Sequence, residues 1–230
     1  MKSFCSTIVL LLLVCTVTAS PLADKVSSGD NDSHGVYAGI EDAKVLPMLK
    51  HLPYTHGGMN VPPEDGRLLY DLIKAKGYKR GLEIGTSNGY STLWLGLAFR
   101  ETGGKVITLE IDEDSGREAR ANFRKAGLED VIDCRISDAF AEIPNIEGEF
   151  DFVFIDAWKP DYIKFLRMLR DRMVPGGAIT AHNVISQDRG MKDFLYVIQK
   201  DPDFDTTIHE SSPAGVSVSF VRAKSDNTDG

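Results

Sequence analysis

The sequence predicts an α/β fold: a mainly parallel sheet with helices on both faces and an antiparallel hairpin strand at its C-terminal end. Three observations carry this. From about residue 64 apolar strands alternate with amphipathic helices, a glycine loop joins the first strand to its helix, and the last two apolar runs flank a short turn. Repeated strand–helix units place consecutive strands parallel, in a sheet that helices cover on both faces.

The elements follow in order. "EDGRLLYDLIKAKG" carries Leu68, Leu69, Leu72 and Ile73 on one helical face; Glu64 and Asp65 favour its N-terminus, and Gly77 stops it. "RGLEIG" is a short strand and "YSTLWLGLAFRE" a helix; "KVITLEI" is a strand and "EDSGREARANFRKAG" a helix closed by Gly127. "VIDCRIS" and "FDFVFIDA" are strands around a helical turn near Asp138–Glu142. "DYIKFLRMLRDRM" is a helix, Pro175-Gly176-Gly177 turns the chain into the strand "AITAH", and "DRGMKDFLYVIQKD" is the last long helix. "FDTTIHES" and "GVSVSFVRA" flank the turn "SPA" as a terminal hairpin. In such folds ligands lie beyond the C-terminal ends of the strands, so Glu83, Glu110, Asp138, Asp156 and His182 are expected to open onto one crevice.

A chain of 230 residues suggests one large domain, placed at 37–223. Its formal net charge of -8 disfavours nucleic acid and anionic lipid as partners. Ahead of the domain, Lys2 precedes the apolar run "FCSTIVLLLLVCTVTA", with small residues up to Ala19. This reads as a signal peptide over 1–19, with an uncleaved membrane anchor as the alternative. The expected location is therefore secretory or periplasmic, with membrane contact only if the segment is retained. Cleavage leaves Cys134 as the single cysteine, so no intramolecular disulfide is expected. Residues 20–36 read as a polar linker and 224–230 as a frayed tail.

"GLEIGTSNGYSTLWL" is the most informative stretch. Gly85 and Gly89 let the backbone turn tightly and a ligand come close. The spacing is G-x-x-x-G rather than the dinucleotide G-x-G-x-x-G, and Glu83 just before it would repel a pyrophosphate. One strand later Glu110 can accept both hydroxyls of a ribose. A ligand with ribose and positive charge but no phosphate is S-adenosyl-L-methionine.

Taken together, "LEIGTSNGYST", "ITLEID", "ISDAF", "FDFVFIDAWKPDY" and "GGAITAHNVI" resemble the class I S-adenosylmethionine-dependent O-methyltransferases, in the branch of catechol and caffeoyl-CoA O-methyltransferases and their bacterial relatives. The resemblance spans about Met59 to Ala223 and implies a Rossmann-like class I methyltransferase fold. By position it implies that Glu83, Gly85, Ser87, Gly89 and Ser91 cradle the methionine part of the cofactor. Glu110 would hold the ribose, Ile111 would lie on the adenine, and Asp138-Ala139 would meet its amine. Asn60 and Val61 would cover the cofactor. The same likeness gives Asp156 as a metal carboxylate, Lys159 as the general base and Trp158 as an aromatic wall. A divalent ion chelated by two vicinal hydroxyls would acidify and fix the acceptor.

The family's metal pair is Asp-Asn, whereas here it is His182-Asn183. Magnesium prefers oxygen ligands, and imidazole suits a softer ion such as manganese. Three readings of His182 stay open: a metal ligand beside Asp156 and Asn183, a general base in a metal-independent enzyme, or a strand terminator. The expected activity is methyl transfer to a small hydroxylated aromatic, catechol-like or phenolic. The rivals are an exported binding protein that kept the fold and a nicotinamide oxidoreductase. Acceptor choice would fall to residues 37–58 and 186–191, and the family likeness carries the expectation of a homodimer.

Overall fold

The computed structural model describes residues 35–55 and 59–223. The expected signal segment, residues 20–34 of the expected linker, and the tail lie outside the described residues. Among the described residues no helix is long and apolar enough to cross a membrane.

Seven strands form one sheet: β1 (Arg80–Ile84), β2 (Lys105–Glu110), β3 (Ile132–Ile136), β4 (Phe150–Ile155), β5 (Met173–His182), β6 (Phe204–His209) and β7 (Val216–Val221). Their order is β3-β2-β1-β4-β5-β7-β6. The first five are parallel, and β7 pairs antiparallel with both β5 and β6. This is the expected mixed sheet with a terminal hairpin. Strand order reverses between β1 and β4, which opens a crevice at their C-terminal ends.

The helices are α1 (Val45–His51), α2 (Pro63–Lys76), α3 (Tyr90–Thr102), α4 (Glu113–Ala126), α5 (Ala139–Glu142), α6 (Tyr162–Leu169) and α7 (Lys192–Lys200). Strand alternation sends Phe152 and Phe154 into a core under α1 to α4, and Val153 and Ile155 into a second core under α5 to α7. From Tyr90 to Phe99, α3 is buried on every side, which its unbroken apolar sequence permits.

Three elements differ from expectation. Pro175-Gly176-Gly177 is not a turn between helix and strand but an irregularity inside β5: Phe150 pairs with Met173 and Phe152 with Ala178, leaving surplus residues on β5. Gly176 takes a φ of 80° there. The helix expected to run to Met173 ends at Leu169 and finishes as a 3-10 turn. The last helix starts at Lys192, because Gly190 and Met191 break its first turn.

Candidate active site

Two adjoining cavities occupy the crevice. One, of about 310 Å³, is lined by residues that include Glu110, Ile111, Asp138, Ala139 and Trp158. The other, of about 500 Å³, is lined by Asn60, Val61, Ser91, Lys159, His182 and Asn183 among others. Gly85, Ser87 and Asp156 line both, so the cavities meet at the ends of β1 and β4.

The smaller cavity is set by the loops after β1 and β2. Ser87 adopts a left-handed φ of 50°, and its N–H donates to Glu110 Oε2 at 2.7 Å. Asp112 N–H donates to the other oxygen at 2.9 Å. Two backbone donors thus fix the carboxylate while leaving lone pairs free for a ligand's hydroxyls. Ile111 and Trp158 are 72% and 73% exposed, among the most exposed large apolar side chains described. Exposure of this kind argues against ordinary sheet packing for Ile111. Two uncovered apolar surfaces lining one cavity form a cradle for a flat aromatic group. Asp138 caps α5 by accepting from Phe140 N–H at 2.9 Å.

Two expectations about the glycine loop change. Glu83 does not open onto the crevice. It pairs across β1–β2 with Thr108, is fully buried, and accepts from Ser91 Oγ at 2.6 Å, Thr92 Oγ1 at 2.5 Å and Thr108 Oγ1 at 2.6 Å. Strand alternation turns it inward, behind Ser91. Burial pushes its carboxyl up to about 7, against the lowering effect of the three hydroxyls. Gly89, with φ 87°, is required by packing: a Cβ there would collide with the Phe123 ring of α4. Gly85 is tight for a similar reason, since its Cβ would collide with the carbonyl oxygen of Asp156.

The larger cavity holds a charged corner. Lys159 Nζ lies 2.8 Å from Asp156 Oδ1 and 2.9 Å from Tyr162 Oη. His182 Nδ1 lies 3.2 Å from Asp156 Oδ2, and His182 Nε2 lies 3.0 Å from Asp65 Oδ2. Asp65, fully buried on α2, also accepts from Ser211 Oγ at 2.5 Å and Ser212 Oγ at 2.6 Å. Burial pushes the His182 imidazole down, but hydrogen bonds and charge from Asp156 and Asp65 outweigh it and raise it to about 9. Burial alone would raise Asp65 and Asp156, yet the imidazole and their other donors hold both below the usual carboxylate range.

This donor set does not fit a divalent ion. Each nitrogen of His182 already faces a carboxylate, and Lys159 takes the second oxygen of Asp156. Asn183, at a left-handed φ of 61°, has its amide 3.5 Å from Ser186 Oγ. Among the described residues no group of three or more His, Cys, Asp or Glu side chains converges as a metal set.

The remaining expected residues, Asn60 and Val61, line the larger cavity. Asn60 Nδ2 donates to Leu52 O at 2.7 Å, which ties the segment leading into α2 onto the end of α1. Val61 is buried beside it. Sequence reading missed Tyr162, missed Phe140 and Phe165, which line the smaller cavity, and above all missed the site role of Asp65, which it assigned to the helix dipole. The available signal was its phase: Asp65, Leu69 and Ile73 follow i, i+4, i+8 and are all buried, so the carboxylate lies on the apolar stripe.

Comparison with known proteins identifies the family. A family model described as O-methyltransferase matches residues 38–199. A catechol O-methyltransferase of Niastella koreensis is 35% identical over 154 residues, covering 64% of this chain and 68% of that protein. A catechol O-methyltransferase of Mycobacterium tuberculosis is 29% identical, covering 80% of this chain and 84% of that protein. Among solved structures, the Bacillus cereus O-methyltransferase in complex with SAH superposes with a TM-score of 0.67 at 28% identity, covering 77% of this chain and 89% of that one.

Proposed function

The chain belongs to the O-methyltransferase family, and from that premise we propose that it moves the methyl group of S-adenosylmethionine to a hydroxyl of a small phenolic or catechol-like acceptor. One observation carries the reading: a nucleoside-sized cavity and a charged cavity share Gly85, Ser87 and Asp156. Such a junction lets a cofactor in the first present a reactive group to an acceptor in the second. When bound, S-adenosylmethionine supplies a methyl carbon made electrophilic by its sulfonium.

The chain's own residues do the rest. Glu110 accepts from the ribose hydroxyls, and Ile111 and Trp158 flank the adenine. Asp138-Ala139 meet its amine. Ser91, backed by Glu83, together with Ser87 and Gly85, faces the methionine end, and Asn60 and Val61 cover it. At the acceptor, His182 is not the base, because both its nitrogens are engaged by carboxylates. Lys159, an ammonium paired with Asp156 at rest, gives that proton to solvent and then takes the hydroxyl proton as an amine, held by Asp156 and Tyr162. We further propose that the protein enters the secretory route through residues 1–19 and forms a homodimer; N-terminal sequencing and sedimentation of the native protein test these.

Calorimetric titration with S-adenosylhomocysteine, followed by mass detection of methylated catechol, tests the activity. Tight binding and a mass gain of one CH2, a methyl group in place of the hydroxyl hydrogen, are expected. Binding of NAD in place of S-adenosylhomocysteine sinks the reading, and cofactor binding without methylation of any phenol in a panel favours a binding protein instead.

A further inference from the structure

Asp65 has no part in the reading above, yet it is the most deeply placed charge at the acceptor end. It is fully buried, and its three donors are Ser211, Ser212 and His182. A buried carboxylate costs several kcal/mol unless it is paired and hydrogen-bonded. Two serine hydroxyls supply hydrogen bonds but no charge. Among the described residues the imidazole 3.0 Å away is the one cationic group paired with it.

The far side of that imidazole faces Asp156 at 3.2 Å. Ionised carboxylates only accept hydrogen bonds, so an imidazole between two of them donates from both nitrogens and is a cation. Asp156 is also met by Lys159 at 2.8 Å. Two negative and two positive side chains therefore balance within one corner. A hard divalent ion needs oxygen ligands carrying uncompensated negative charge; both carboxylates of this corner already have cationic partners. Asp65 and His182 account for one another, for a histidine at the end of β5 without a buried acid behind it would keep one nitrogen free.

We propose that Asp65 is a positioning residue that clamps His182 against Asp156, and that the clamped imidazole is a built-in cation standing in for a divalent ion beside the acceptor. The proposal rests on the methyltransferase reading. Its distinctive consequence is that the wild-type chain neither binds nor needs a divalent ion at this corner, and that Asp65, not Asn183, sets the acceptor geometry.

The test uses the full chain after chelation and dialysis. Free manganese is followed by electron paramagnetic resonance as protein is added, and catechol methylation is measured with and without chelator. The free-ion signal is expected to persist at one equivalent of protein, with turnover unchanged by chelator. Uptake of one manganese per chain, or turnover lost to chelator and restored by manganese, overturns the proposal. Asp65→Asn adds a second arm: kcat is expected to fall by roughly tenfold or more, with the KM for S-adenosylmethionine unmoved. The nitrogen NMR signature of a doubly protonated His182 should disappear in that variant. Retention of both kcat and that signature overturns the positioning role. Titration of the wild type with S-adenosylhomocysteine separates the two readings: no binding defeats the methyltransferase assignment, whereas manganese uptake with intact binding defeats only the clamp.

Discussion

The two cavities that meet at Asp156 satisfy their polar groups in opposite ways. In the smaller one, Glu110 is held by the N–H groups of Ser87 and Asp112 and still has acceptor capacity, while Ile111 and Trp158 stay uncovered. In the larger one, Asp65, Asp156, Lys159 and His182 satisfy one another. The first region keeps open surfaces and acceptor capacity; the second pairs its charges internally. The difference teaches that recognition and reaction place opposite demands on a site. Recognition needs open surfaces and free lone pairs, whereas chemistry needs charges already in place and unable to relax.

Breaking each region separately should sharpen the contrast. The largest effect is expected at the reacting corner: Lys159→Ala should lower turnover by about 10²- to 10⁴-fold, with S-adenosylhomocysteine affinity unchanged by calorimetry. Equal losses in both would erase the division. Next, Glu110→Ala should weaken S-adenosylhomocysteine by roughly 10- to 100-fold, the worth of a charged hydrogen bond. Saturating cofactor should then restore most of kcat.

A third effect concerns stability and pH. The imidazole of His182 is raised from 6.5 to about 9 in the folded chain, after burial has opposed the shift and Asp156 and Asp65 have overcome it. Its stabilising contribution is therefore complete below about pH 6.5 and is lost as pH rises through about 9. Calorimetric melting should fall by several degrees across that interval, and His182→Asn should flatten the dependence contributed by this group. A wild-type profile no steeper than the variant's would contradict a protonated imidazole. The smallest effect is expected from Trp158→Ala, a loss of about three- to tenfold in cofactor affinity, consistent with one aromatic face.

The sequence served the two regions unequally. Strand ends were legible because apolar runs stop abruptly at Glu110, Asp138, Asp156 and His182, and a parallel sheet brings those ends to one edge. The roles of Glu83 and Gly89 were not. Period-two alternation turns Glu83 inward by a single residue, and the neighbour that makes Gly89 necessary, Phe123, lies on another helix. The break inside β5 was likewise hidden, because Pro-Gly-Gly is common to turns and bulges.

By itself, the sequence determined the alternation of elements, the strand-end acids and most of the residues that line the smaller cavity, all of which depend on residues close together in the chain. Only the tertiary structure decided the charged corner of the larger one. His182 is a free strand-end imidazole until α2 delivers Asp65 from 117 positions away and Ser211 and Ser212 close behind it. Whether an imidazole is a ligand, a base or a fixed cation depends on what faces each of its nitrogens. That is a property of packing between distant segments, and no local pattern encodes it.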